Sequence, residues 1–395
     1  MKTLRQSPLD PGFVQDPYAL YARVLRDAPV QFWQDYNMVA VFDAKRVQSL
    51  LKDRRLGRAV PADQRQRGPK HLAAFDALEQ HSLLELEPPD HTRLRALVLR
   101  AFTSRRVQAL RPDIEAVCDN LLARLEGGTT DLISSYCREV PVRIIARLLG
   151  VPEDMAPQLL GWSNAMVAMY QAGRNRTIEE AANRAATEFA DYLGGYIEAR
   201  RSDPRDDLIT HLVRAENEGQ TLSRDEMIGT CVLLLNAGHE ATVHTLGNGV
   251  KALLEAGTSR IALSDAWIAA TVEEILRFDP PLHLFTRTAF DDINLGDTVL
   301  PRGAQVALIL GAAGRDPAVF EGPDRFDPFR APRPHAAFGA GLHFCLGAPL
   351  ARLEMQIALQ KLFARFPDMQ MAGKPRYADS YHFHGLTQLE IALKP

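Results

Sequence analysis

A mainly α protein with a minor β region is what this sequence predicts, organised as a single domain over residues 1–395. Three observations carry that expectation. From Asp90 to about Leu254 the apolar residues recur at helical spacing almost without interruption. Period-two alternation is confined to short stretches before Asp90 and after Phe278. No repeat, linker or break in composition divides the chain.

Taken in order, the first ninety residues offer a short helix at Tyr18–Arg26, strands at Val30–Trp33 and Met38–Phe42, and a helix at Ala44–Lys52. Arg58–Gly68 is rich in Arg, Gln and Gly and reads as a mobile loop. The helical stretch that follows stops at Gly127-Gly128, Gly150-Val-Pro152 and Asp203-Pro204. Its longest segment, Ser223 to Leu254, would run about 45 Å at 1.5 Å per residue. A further helix ends at Phe278, because Asp279-Pro280-Pro281 cannot continue it. Strands are expected at His283–Ala289 and Val306–Leu310, then a cysteine-bearing loop, its helix, and a final strand pair within Tyr381–Leu393.

With 46% hydrophobic residues the chain can bury a large core. A net charge of -3 argues against nucleic-acid binding. Cys118, Cys137, Cys231 and Cys345 are scattered and form no disulfide framework, which fits a reducing cytoplasm. The N-terminal residues hold no signal-peptide core, and no window approaches the ~18 apolar residues of a membrane span.

The chemistry concentrates in Phe338-Gly339-Ala340-Gly341-Leu342-His343-Phe344-Cys345-Leu346-Gly347. Pro349 suits a first helical turn, so Cys345 stands where a helix begins, facing unpaired N–H groups that favour a thiolate. Gly339, Gly341 and Gly347 let backbone approach something flat. A thiolate beneath a planar ring is a haem-iron ligand. Zinc is excluded: there is no Cys-x-x-Cys, and His343 with Cys345 does not close a tetrahedral site.

This loop resembles the haem-binding loop of the cytochrome P450 family, and the resemblance extends from about Asp16 to Leu393. It implies the single-domain fold of that family and haem b (iron protoporphyrin IX), with Cys345 as the metal ligand. Ala237, Phe338, Gly339 and Gly347 would line the cofactor. His91 and Arg95, at i and i+4 after Pro88-Pro89, match the family's donors to the haem propionates, as do Arg287 and His343. Arg93 is expected to face solvent. Glu274-Ile-Leu-Arg277 resembles the family's structural pair, with Arg325 of Phe320–Pro328 as the second arginine on Glu274. In Leu233-Leu-Leu-Asn236-Ala237-Gly238-His239-Glu240-Ala241-Thr242, Ala237 and Gly238 leave room for dioxygen and Glu240 is the proton-relaying acid. The usual alcohol position holds Ala241, and Thr242 stands about 100° further round the helix. Glu240 and Thr242 are therefore the catalytic candidates, with Glu240 as a mere helix-capping acid the alternative.

Leu233, Asn236, Ala237, His283, Phe285 and Phe383 match positions near substrate, although each also suits a core. Arg58–Leu84 and Met166–Tyr170 match the lid. The implied activity is a monooxygenase inserting one oxygen atom from dioxygen into a small or medium organic molecule. The sequence has no flavin- or iron–sulfur-binding segment before Pro395, which implies an external ferredoxin and ferredoxin reductase. Arg93, Arg100, Arg105, Arg106, Arg330, Arg333 and Arg352 form either a docking patch for such a partner or an ordinary solvated set. A peroxide-using or rearranging haem-thiolate enzyme and a non-catalytic haem sensor stay open as alternatives.

Overall fold

The structure is a computed structural model that describes residues 1–64, 68–100, 102–217 and 222–394. Residues 65–67 of the expected Arg58–Leu84 lid, and Pro395, lie outside the described residues.

The N-terminal alternation becomes an antiparallel hairpin, Val30–Trp33 against Met38–Val41, with Val30 opposite Val41 and Trp33 opposite Met38. Asn37, at φ 51°, closes the turn in the left-handed region that asparagine tolerates. The hairpin joins a six-stranded sheet in the order Lys2–Leu4, Val30–Trp33, Met38–Val41, Gln305–Ile309, Leu284–Ala289, Leu56–Gly57. Within it Arg287 stands opposite Val306, which fixes the face on which that arginine projects.

The long helix runs from Arg224 to Glu255. Ser223 and Glu226 cap it reciprocally, and Asp225 and Glu226 favour its positive end. It meets the Ile268–Phe278 helix closely, since a Cβ on Gly249 would stand 2.8 Å from Ile275 Cδ1. The Ala348–Arg365 helix, which follows the cysteine loop, packs against Arg111–Leu122, Ile268–Phe278 and the long helix.

Two expectations about strands need correction. Leu386–Gln388 and Glu390–Leu393 do not pair with each other. The first pairs with Arg376–Tyr377, the second with Gly128–Asp131 and Gln370–Met371. The chain changes sheet at Leu389, whose N–H donates to Asp131 Oδ1 and whose carbonyl accepts from Leu132. Gly128–Asp131 is accordingly a strand inside the stretch expected to be helical, held by partners more than 250 residues away.

Candidate haem-thiolate site

The cysteine loop is closed by backbone bonds: Cys345 N donates to the Phe338 carbonyl at 2.9 Å and Gly339 N to Ala336 at 2.8 Å. Gly341, at φ +71°, passes so near Leu51 that a Cβ would stand 2.5 Å from its carbonyl oxygen. A side chain is excluded there by both conformation and space. Gly347 and Ala348 offer N–H groups to Cys345, and Arg95 and Arg352 add positive charge. Burial outweighs all four and pushes the thiol up. The donors read from sequence are therefore present but insufficient alone; a metal cation at the sulfur deprotonates a coordinating thiol outright.

Arg352 lies over the Phe338 ring at 4.5 Å and donates to Glu273, which also takes His335 Nε2 at 3.1 Å. Burial opposes that charge, yet Arg352 and His335 hold the Glu273 carboxyl down to about 2. This clamp was missed in the sequence because its members lie on three separate segments.

Glu274 and Arg277 meet through two bonds of 2.7 Å, both side chains buried. Arg277 also donates to the Gly314 and Pro323 carbonyls. The second arginine is not Arg325. That side chain is 76% exposed and pairs with Asp327, whereas Arg330 Nε lies 3.4 Å from Glu274 and its guanidinium gathers carbonyls of the 321–325 turn. The turn reverses the chain, so Arg330 returns to the carboxylate that Arg325 passes.

The four expected propionate donors share one neighbourhood. The His91 and His343 rings lie 4.5 Å apart, Arg95 donates to the Phe344 carbonyl at 2.7 Å, and His343 Nε2 reaches Glu87 at 3.2 Å. Arg287 is buried, bonds only to the neighbouring Thr286 carbonyl, and forms no ion pair among the described residues. Burial and Arg58 push its guanidinium down to about 10. Burial, His343 and Arg95 hold the His91 imidazole down to about 4, and its Nδ1 has no partner. A buried unpaired cation is costly, and a pair of carboxylates removes the cost. These residues fit the haem propionates. Arg58 and Glu87 belong to the same cluster and were not anticipated.

On the long helix, Ala237 is exposed and Leu233 and Ala241 are half-buried, while Leu235, His239, Thr242 and Val243 are buried. Leu233, Ala237 and Ala241 share one face at i, i+4 spacing. Thr242 turns its hydroxyl back to the Gly238 carbonyl at 3.5 Å and does not join Glu240. Glu240 instead accepts from His244 Nε2 at 3.0 Å and faces His239 Nε2 at 3.4 Å. Burial pushes the carboxyl up, but the two histidines outweigh it and hold it well below the usual range.

Asn236 Nδ2 lies 3.7 Å from Met166 Sδ, and Tyr170 donates to Glu79 and stacks with His382. Parts of the expected lid thus meet Asn236 and the His382-Phe383 turn. Phe383 lies 5.9 Å from the His244 ring, and Phe285 packs against Gly339. His283 goes elsewhere: it is fully buried and bonded to Tyr21 at 2.8 Å. Among the arginines expected at a docking face, Arg330 and Arg352 are engaged as described, Arg333 donates to the Val319 carbonyl, and Arg93 pairs with Glu226 rather than facing solvent. Arg100, Arg105 and Arg106 are exposed.

A family model described as Cytochrome P450 matches residues 267–389. Cytochrome P450 107B1 of Saccharopolyspora erythraea is 39% identical over 97% of this chain and 96% of its own length. Vitamin D(3) 25-hydroxylase of Pseudonocardia autotrophica is 36% identical over 97% of this chain and 95% of its own. The crystal structure of P450BioI in complex with hexadec-9Z-enoic acid ligated acyl carrier protein superposes with a TM-score of 0.91 at 31% identity, covering 97% of this chain and 100% of that one. At these identities over nearly the whole chain, this chain belongs to the cytochrome P450 family, as a haem-thiolate monooxygenase of the bacterial type.

Proposed function

We propose that residues 1–395 act as one domain holding haem b, with Cys345 as the iron's protein ligand and His91, Arg95, Arg287 and His343 on the propionates. The substrate is a small or medium organic molecule, and electrons come from an external ferredoxin and its reductase in the cytoplasm. The observation that carries this reading is the buried, unpaired Arg287 beside a loop that presents Cys345. The bound haem supplies the activation of dioxygen, so that one oxygen atom enters the substrate and the other leaves as water.

This chain's own residues do the rest. The Glu274–Arg277–Arg330 cluster stiffens the backbone that carries the cysteine loop. Leu233, Asn236, Phe285 and Phe383 hold substrate, and Ala237 and Ala241 keep the helix face low. Asn236 Oδ1, buried without a partner, accepts from a hydroxyl or amide of the substrate. Glu240 handles protons, since Ala241 has no hydroxyl.

The test joins spectrum and turnover. The reduced carbon-monoxide form should show the red-shifted Soret band of thiolate ligation, and Cys345→Ser should lose it. Ferredoxin, reductase and NADH should yield product carrying one labelled oxygen from dioxygen. Product with peroxide alone would favour the peroxide-using reading, and ligand binding without any turnover would favour a sensor.

A further inference from the structure

We infer that His239, Glu240 and His244 form a proton store behind the open face of the long helix, with the Leu235 carbonyl fixing how many protons it holds. Its use rests on the monooxygenase reading; its protonation chemistry does not.

His239 Nδ1 lies 2.7 Å from the Leu235 carbonyl oxygen. A carbonyl only accepts, so Nδ1 carries the hydrogen. In a neutral ring Nε2 is then bare. That atom stands 3.4 Å from Glu240 Oε2, is buried, and has no hydrogen-bond partner among the described residues. Two acceptors facing each other away from water repel. A proton on Nε2 turns the repulsion into attraction between opposite charges. The trio therefore holds one proton more than a carboxylate beside two neutral histidines.

His244 secures the other carboxylate oxygen. Glu240 Oε1 accepts from its Nε2 at 3.0 Å, so that nitrogen carries a hydrogen as well. Gly385 makes room for this ring: a Cβ there would stand 1.8 Å from His244 Nδ1. With Oε1 already bonded to His244 and Oε2 facing only the bare His239 Nε2, that nitrogen is the place for the extra proton.

A cavity of about 190 Å³ adjoins the trio, lined by His239, Glu240 and His244 with Arg138, Asn164 and Gln171 among its walls. It has room and polar partners for several waters. Around the carboxylate, the Ala156–Val167 helix lines the cavity with neutral groups, Arg138 brings the nearby cation, and His384 in the C-terminal segment is close enough to interact electrostatically with His244. Glu240 is also next to Ala241 on the helix, about 100° round from it.

In each cycle the proton on His239 Nε2 passes to Glu240 Oε2, and Glu240 gives a proton to water on the Ala237–Ala241 face. Cavity water then returns a proton to the Glu240 carboxylate, which hands it back to His239 Nε2, and no electron moves. His239 and His244 are positioning residues in this scheme, acting through Glu240.

The test is nitrogen-15 NMR of histidine-labelled holoprotein in its diamagnetic reduced carbon-monoxide form, over about pH 5 to 9. His239 should keep Nδ1 protonated throughout and lose its Nε2 proton in one titration, which Glu240→Gln should move to lower pH. Product formed per NADH consumed should fall with rising pH at the same midpoint. In His239→Phe that alkaline fall should be absent. An Nε2 that carries no proton at any pH overturns the inference, and so does a His239→Phe profile that keeps the wild-type midpoint. Should His239→Phe fail to fold, the wild-type and Glu240→Gln spectra decide alone. Failure of the monooxygenase reading would appear as no product from any form, with the NMR titration unaffected.

Discussion

Arg330 Nε lies 3.4 Å from the Glu274 carboxylate, and Arg325, earlier in the same turn, leaves its side chain in solvent beside Asp327. Which arginine completes the cluster is a property of how the turn folds back.

That geometry ranks three substitutions. Glu274→Ala strands the buried Arg277 guanidinium and should cost about 3–5 kcal/mol. Arg330→Ala keeps the main pair and loses charge-assisted bonds, a loss of about 1.5–3 kcal/mol. Arg325→Ala should stay within about 1 kcal/mol. Urea unfolding together with haem content per protein checks the order; an Arg325→Ala loss as large as that of Arg330→Ala would contradict it.

Arg287 should show opposite signs in two measurements. Replacing even a buried ion pair with well-packed apolar groups is often neutral or stabilising, by about 1–4 kcal/mol, and a buried charge without a partner has no pairing energy to lose. Arg287→Leu should therefore raise the melting temperature of haem-free protein while speeding haem loss to an acceptor protein by tenfold or more. Equal destabilisation of both forms would mean that Arg287 has no role toward the propionates.

The Thr242 hydroxyl reaches only the Gly238 carbonyl, at 3.5 Å. Thr242→Ala should change stability by less than about 1 kcal/mol and leave product per NADH near the wild-type value. Ala241→Thr places a hydroxyl beside Glu240 and should hold or improve coupling. Strong uncoupling by Thr242→Ala, with peroxide as the leak, would reassign proton delivery to that threonine.

Glu79 carries a pH dependence of stability. Burial and repulsion from Glu85 push its carboxyl from 4.5 up to about 7, even though Tyr170 donates to it. The folded protein thus holds this proton more tightly than the unfolded chain. The stabilisation is full below about pH 4.5 and is lost as pH rises to about 7, a fall of about 3 kcal/mol at roughly 1.4 kcal/mol per unit. Urea unfolding of wild type and Glu79→Gln across that range should show the difference between them changing by this amount. A constant difference would place Glu79 in a solvated setting.

Sequence alone was enough for whatever depends on near neighbours along the chain. The loop from Phe338 to Gly347, the 3.6-residue period of the long helix and the Glu274–Arg277 spacing are all local, and each is one helix turn or one loop in extent. Only the tertiary structure decided relations across distance. It assigned Arg330 to Glu274, split Leu386–Gln388 and Glu390–Leu393 between two sheets, and turned His283 onto Tyr21. It also raised the Cys345 thiol, because burial depends on what the rest of the chain packs around it. His239 joins the two kinds of information: its bond to Leu235 follows from helix spacing, but its burial beside Glu240 follows from the packing of distant segments.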